Sequence, residues 1–285
     1  MSRKRKGFDL EPYRILATVE PGAETDLHHD GVLRYRTRTV EAGPMLYVSA
    51  HPVALRAPGE EARRRLQGVT REAQQRVNRK RSMLRVEQLI HANFSEGDTF
   101  ATLTYRDGEE PATLDEVRRD LRNCLARLRR RAKRLGAELK YLYVIELSER
   151  SDTDPRAREN WHVHLVISGV SRDTVEDCWP HGYGNTRRLQ DSQERFTGIA
   201  KYMLKRRASW RTWERSRNLK EPTERVTDRA LSRRRVALVA RDVRVAGKEI
   251  FERIYPGYQL IDDVDVRVSD FVPGAYIYAR MRRRR

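Results

Sequence analysis

The sequence predicts an α+β fold: a central antiparallel β-sheet with flanking helices, preceded by a long basic helical segment. Three observations predict it. Between residues 97 and 212, short β-branched apolar runs alternate with amphipathic helical stretches. The runs follow one another through connections of the kind that join antiparallel neighbours. Ahead of them, residues 59–96 space Leu84, Leu89 and Ile90 as an apolar helical stripe, with Arg63, Arg64, Arg65, Arg71, Arg76, Arg79, Lys80 and Arg81 coating the rest.

Taken in order, residues 1–58 alternate short apolar and polar stretches with Gly and Pro, which reads as an irregular or short-stranded segment of unclear role. Residues 59–96 read as one long helix or two shorter ones, with Gly68 as the interruption. The run Thr99–Tyr105 is a strand closed by Asp107-Gly108. A helix follows from Thr113, an N-cap with Glu116 three residues on, to Leu135, closed by Gly136. Leu139–Leu147 and Asn160–Ile167 are strands two and three, Thr174–Trp179 a short helix, Gly184–Leu189 a fourth strand, and Glu194–Ala208 a further helix. Residues 213–285 form a basic extension in which Val236–Val245 and Val264–Val268 read as strands that add to or follow the main sheet.

Composition narrows the partners. The 285 residues carry 59 Lys and Arg against 41 Asp and Glu, a net charge of +18, which points to a polyanion. No apolar run approaches the ~20 residues of a membrane helix, and the basic start Ser2-Arg3-Lys4-Arg5-Lys6 leads into no hydrophobic signal core. Cys124 and Cys178 fit no zinc spacing, so a reducing cytoplasm is expected. There is no Gly-rich phosphate loop and hence no recognisable ATP-driven motor.

The chemistry concentrates in Trp161-His162-Val163-His164-Leu165-Val166-Ile167. Side chains alternate along a strand, so His162 and His164 share a face while Val163 turns away. Two adjacent imidazoles make half of a metal site, and a carboxylate is the usual third ligand for a Mg2+- or Mn2+-type ion. Glu146, ending the preceding strand, is the candidate; Glu149 and Asp152 in the following loop are weaker alternatives. Tyr202 lies 38 residues beyond His164, and on a helix it shares a face with Lys205 and Arg206. A cationic neighbour favours phenolate over phenol and so makes Tyr202 a plausible nucleophile.

These parts, with the run Phe100–Tyr105 and Asn93-Phe94 before it, resemble the HUH endonucleases, and most closely the replication initiators of phages and plasmids. The resemblance covers roughly residues 75–210. It implies a metal-dependent DNA nickase in the cytoplasm of a prokaryotic host, with His162, His164 and Glu146 as metal ligands and Tyr202 and Lys205 as catalytic residues. Thr102, Thr104, Lys201 and Arg206 are expected to contact single-stranded origin DNA, and a host helicase and polymerase to complete the reaction. Position 198 is Gly, so one tyrosine is offered where part of the family has two. Termination would then need a second subunit or an activated water. The 15 residues between Glu146 and His162 exceed a tight hairpin and leave the register of Glu146 open. A related transposase or relaxase, and a non-catalytic basic nucleic-acid-binding protein with structural histidines, are the competing readings.

Overall fold

The computed structural model describes residues 7–18, 30–148, 160–204 and 213–284. In chain order they form β1 (Phe8–Asp9), a 3-10 turn (Glu11–Leu16), β2 (Val32–Ala42), β3 (Met45–Ala54), α1 (Glu60–Gln67), α2 (Arg71–Asn93), β4 (Thr99–Tyr105), α3 (Leu114–Arg134), β5 (Lys140–Ser148) and β6 (Asn160–Ser168). Then come α4 (Arg172–Asp177), β7 (Gly182–Arg188), α5 (Thr197–Met203), β8 (Trp213–Arg215), β9 (Thr223–Thr227), α6 (Arg233–Arg241), α7 (Val245–Ile254), β10 (Tyr258–Leu260), β11 (Asp265–Ser269) and β12 (Val272–Arg283). The architecture is α+β, with antiparallel sheets flanked by helices. Two compact units share it, one of Arg85–Glu221 and one of Met1–Leu84 with Pro222–Arg285. No helix among the described residues is long and apolar enough to cross a membrane.

The unit Arg85–Glu221 is built on a five-stranded sheet of order β7-β4-β6-β5-β8, antiparallel throughout. Its β-branched strands alternate cleanly. Leu103, Tyr143, Ile145, Val163, Leu165 and Ile167 point to one face and bury against Val117, Leu121, Cys124, Leu125 and Leu128 of α3. Each such side chain contributes roughly 1.5–3 kcal/mol of burial. The start of α3 is fixed locally: Thr113 Oγ1 accepts from the Glu116 N–H, and the Glu116 carboxylate accepts from the Thr113 N–H. With one face spent on α3, the histidine-bearing face is left for chemistry.

The second unit holds a seven-stranded sheet of order β10-β12-β3-β2-β9, with β1 on β3 and β11 on β12. Leu46, Val48, Ala50, Ile277, Ala279 and Met281 on one face pack against Val236 and Val239 of α6 and Phe251 of α7. Three sequence expectations are corrected here. The segment expected to be irregular contains the 11-residue β2 and the 10-residue β3, a long hairpin turned at Gly43 with φ +60°. Its apolar residues lie among Arg and Thr because β2 is paired on both edges, to β3 and to β9, so neighbouring strands hold it without a continuous apolar run.

Val236–Val245 is not a strand. Ser232 caps α6 by accepting from the Arg235 N–H, and Val236, Val239 and Ala240 recur at helical spacing on its buried side. The tail also joins the β2–β3 sheet, through β12 on β3, and adds nothing to the histidine sheet beyond β8.

Candidate active site

Directly opposed residues of an antiparallel pair share a face, so the register arranges the open face of the first sheet in rows. Tyr183, Thr104, His162 and Glu146 form one row. Asn185, Thr102, His164 and Val144 form the next, and Arg187, Phe100, Val166 and Leu142 the third. Glu146 therefore stands directly opposite His162. The strands pair without interruption from Lys140↔Ser168 to Ser148↔Asn160, so the long loop lies beyond the paired region and leaves the register intact. Glu149 and Asp152 lie outside the described residues.

His164 is the centre of the arrangement and is buried, with 3 % of its surface exposed. Its Nε2 lies 3.0 Å from Glu146 Oε2 and its Nδ1 3.3 Å from Thr102 Oγ1. Its ring stacks on Phe100 at a centroid distance of 6.2 Å and an interplanar angle of 9°. Tyr202 meets His164 edge-on at 5.1 Å and 74°, and Phe100 edge-on at 5.9 Å and 81°. Half of the Tyr202 side chain stays exposed (47 %). Arg187 sets its guanidinium carbon 4.9 Å from the Phe100 centroid and 6.0 Å from that of Tyr202. A tyrosine, a cation and an imidazole–carboxylate pair thus share one patch.

The donor set suits a divalent cation: two imidazoles and a carboxylate on one sheet face. Adjacent ligands of an octahedral ion at about 2.1 Å stand about 3.0 Å apart, which is the separation of His164 Nε2 and Glu146 Oε2. His162 is the more distant donor, its ring centroid 6.5 Å from that of His164. Among the described residues no three His, Cys, Asp or Glu side chains converge as a ready ligand cluster. In this conformation the His164–Glu146 hydrogen bond holds together two atoms that would ligate an ion.

Tyr202 is delivered by α5, which is shorter at its start than expected. Helix geometry cannot begin at Glu194, because Arg195 is left-handed at φ 53° in a turn closed by Arg195 N–H to Ser192 O at 2.9 Å and Ser192 Oγ to Arg195 O at 2.8 Å. Two buried polar residues of α2 anchor the first turn of α5. Thr197 Oγ1 donates to Glu87 Oε1 at 2.8 Å, and the Phe196 N–H donates to His91 Nε2 at 3.1 Å. The Arg195 guanidinium also donates to Phe94 O at 2.6 Å.

Of the other residues expected from the sequence, Thr104 Oγ1 donates to Tyr183 O at 3.3 Å, and the exposed Lys201 Nζ lies 3.9 Å from Glu194 Oε2. Lys205 and Arg206 lie outside the described residues. The sequence reading missed Arg187 and Tyr183 on β7, and Glu87 and His91 on α2. The alternation Tyr183, Asn185, Arg187 was visible, but which strand β7 would join was not.

Residues 98–207 match the model of a family described as replication-associated protein, of the ORF2 type. No curated protein and no solved structure matches the chain. The matched span runs from the start of β4 past the end of α5, and so takes in Thr102, Thr104, Glu146, His162, His164, Lys201, Tyr202, Lys205 and Arg206. Over this span the chain is similar to replication-associated proteins of that family.

Proposed function

We propose that this chain is a metal-dependent, site-specific single-strand DNA nickase that initiates rolling-circle replication by forming a 5′-phosphotyrosine. The observation that carries the reading is the meeting of Tyr202 with His164, whose Nε2 is paired with Glu146 and which shares its face with His162. The family match over residues 98–207 supports a role in replication.

His162, His164 and Glu146 would hold a Mg2+ or Mn2+ ion, which when bound neutralises charge on the non-bridging oxygens of a scissile phosphate. Thr102 fixes the ring of His164 by its contact at Nδ1, leaving Nε2 toward the phosphate. Tyr202 Oη loses its proton to solvent or a neighbouring base and attacks phosphorus. The new bond is tyrosine oxygen to phosphorus, and the bond broken is phosphorus to the 3′ oxygen, which leaves as a 3′-hydroxyl after taking a proton. The cationic Arg187, and Lys205 beyond the described residues, favour the phenolate. The energy of the phosphodiester stays in the tyrosyl link, so rejoining needs no ATP. The host supplies helicase and polymerase, and Lys201 and Arg206 hold the strand by its phosphates.

The test is nicking of single-stranded oligonucleotides tiled from the protein's own replicon, with Mg2+ or Mn2+. A unique nick is expected. It disappears with chelator and falls at least about a hundredfold in His164→Ala and in Glu146→Gln. Tight binding to every tile with no cleavage would replace this reading with a non-catalytic DNA-binding protein.

A further inference from the structure

We infer that the outward face of β7 is a docking track for unpaired DNA, on which Tyr183 stacks with a base flanking the scissile phosphate; this rests on the nickase reading for the location of that phosphate. Tyr183 is 71 % exposed, whereas Tyr105, Tyr143, Trp161 and Trp179 of the same unit are buried. A large aromatic side chain gains nothing from water, and its platform is of the kind that single-strand binders offer to bases. Its position is specific. Tyr183 occupies the same row as His162 and Glu146, with only Thr104 between it and His162. Two strand spacings amount to about 10 Å, the reach of a neighbouring nucleotide.

The rest of β7 continues the pattern. Asn185 and Arg187 follow at two-residue intervals on the same face, and both are exposed. An amide can meet base edges and a guanidinium can meet phosphates. The opposite face of β7 admits no such side chains at its start. A Cβ on Gly182 would lie 2.1 Å from the Thr104 carbonyl oxygen, and one on Gly184 3.2 Å from Glu176 Cγ. β7 is therefore seated tightly on β4 and α4, and Tyr183, Asn185 and Arg187 are left to the His162 side. Duplex DNA cannot satisfy such a site, because its bases are already stacked.

The experiment measures binding of the full chain to a labelled single-stranded oligonucleotide and to its duplex, by anisotropy, with chelator present so that no strand is cut. Tyr183→Ala should weaken single-strand binding by about 5- to 100-fold, while Tyr183→Trp and Tyr183→Phe stay within about twofold and duplex binding is unchanged. An abasic site at the stacked nucleotide should reproduce the loss and make Tyr183→Ala silent. Single-strand affinity of Tyr183→Ala within twofold of the parent would overturn the inference, as would an equal loss for duplex. Because cleavage is not read, failure to find an adduct on Tyr202 would remove the nickase reading without touching this result.

Discussion

His164 shows how much one residue's neighbours decide. Thr102 at its Nδ1 and Glu146 at its Nε2 fix the ring, and Phe100 and Tyr202 close over it. That His162 and His164 share a face was legible in the sequence, because strand alternation needs no partner. The part played by Arg187 was not, because its nearness to Tyr202 depends on how β7 registers with β4. The cysteines give a residue-scale prediction. Burial, with the Cys178 thiol close by, pushes Cys124 up to about 12 from an ordinary 9.0, and burial raises Cys178 as well. A thiol is reactive only as thiolate, so native protein at pH 8 should resist thiol reagents and label only on unfolding. The folded state keeps a proton that the unfolded chain loses, so this group's contribution to stability is complete below the ordinary thiol pKa and declines as pH rises toward 12. Rapid labelling of native protein at pH 8 would contradict the burial.

At the scale of elements, α5 is the piece on which the site depends. Thr197 and Phe196, at its first turn, are tied to Glu87 and His91 of α2, so the helix carrying Tyr202 has its entry point held by buried hydrogen bonds. Thr197→Val keeps the shape but leaves the Glu87 carboxylate, 5 % exposed, without this donor. The expected cost is about 1–3 kcal/mol in urea unfolding. Adduct formation should slow while single-strand affinity remains within about twofold, because α5 shifts and the β7 face does not. Destabilised protein that forms adduct at the parental rate would show that these bonds support the fold alone. Elements with local signals were legible: α3 declared both ends through Thr113, Glu116 and Gly136. The long β2–β3 hairpin was not, since Arg34, Arg36 and Arg38 on β2 break its apolar pattern. Asp228 and Asp9 hold Arg36, and Asp228 also holds Arg34, by contacts that exist only after folding.

For the whole molecule, the pairing of β12 with β3 brings together residues more than 220 positions apart, as in Ile277↔Ala50. No local pattern announces such a pairing, so the two ends of the sequence read as separate segments although they share one sheet. The histidine sheet, by contrast, is assembled from strands close in sequence and was readable nearly strand by strand. The charge of +18 suits a chain that handles DNA, yet charge alone does not separate a nickase from a binding protein. Covalent capture does. Full-length protein would be incubated with its cognate single-stranded oligonucleotide and Mg2+ or Mn2+, digested, and the nucleotide-bearing peptide sequenced by mass spectrometry. The nickase reading requires a phosphotyrosyl link at Tyr202 that is absent with chelator and in Tyr202→Phe. A link at another residue, or cleavage with no link at all, would contradict it.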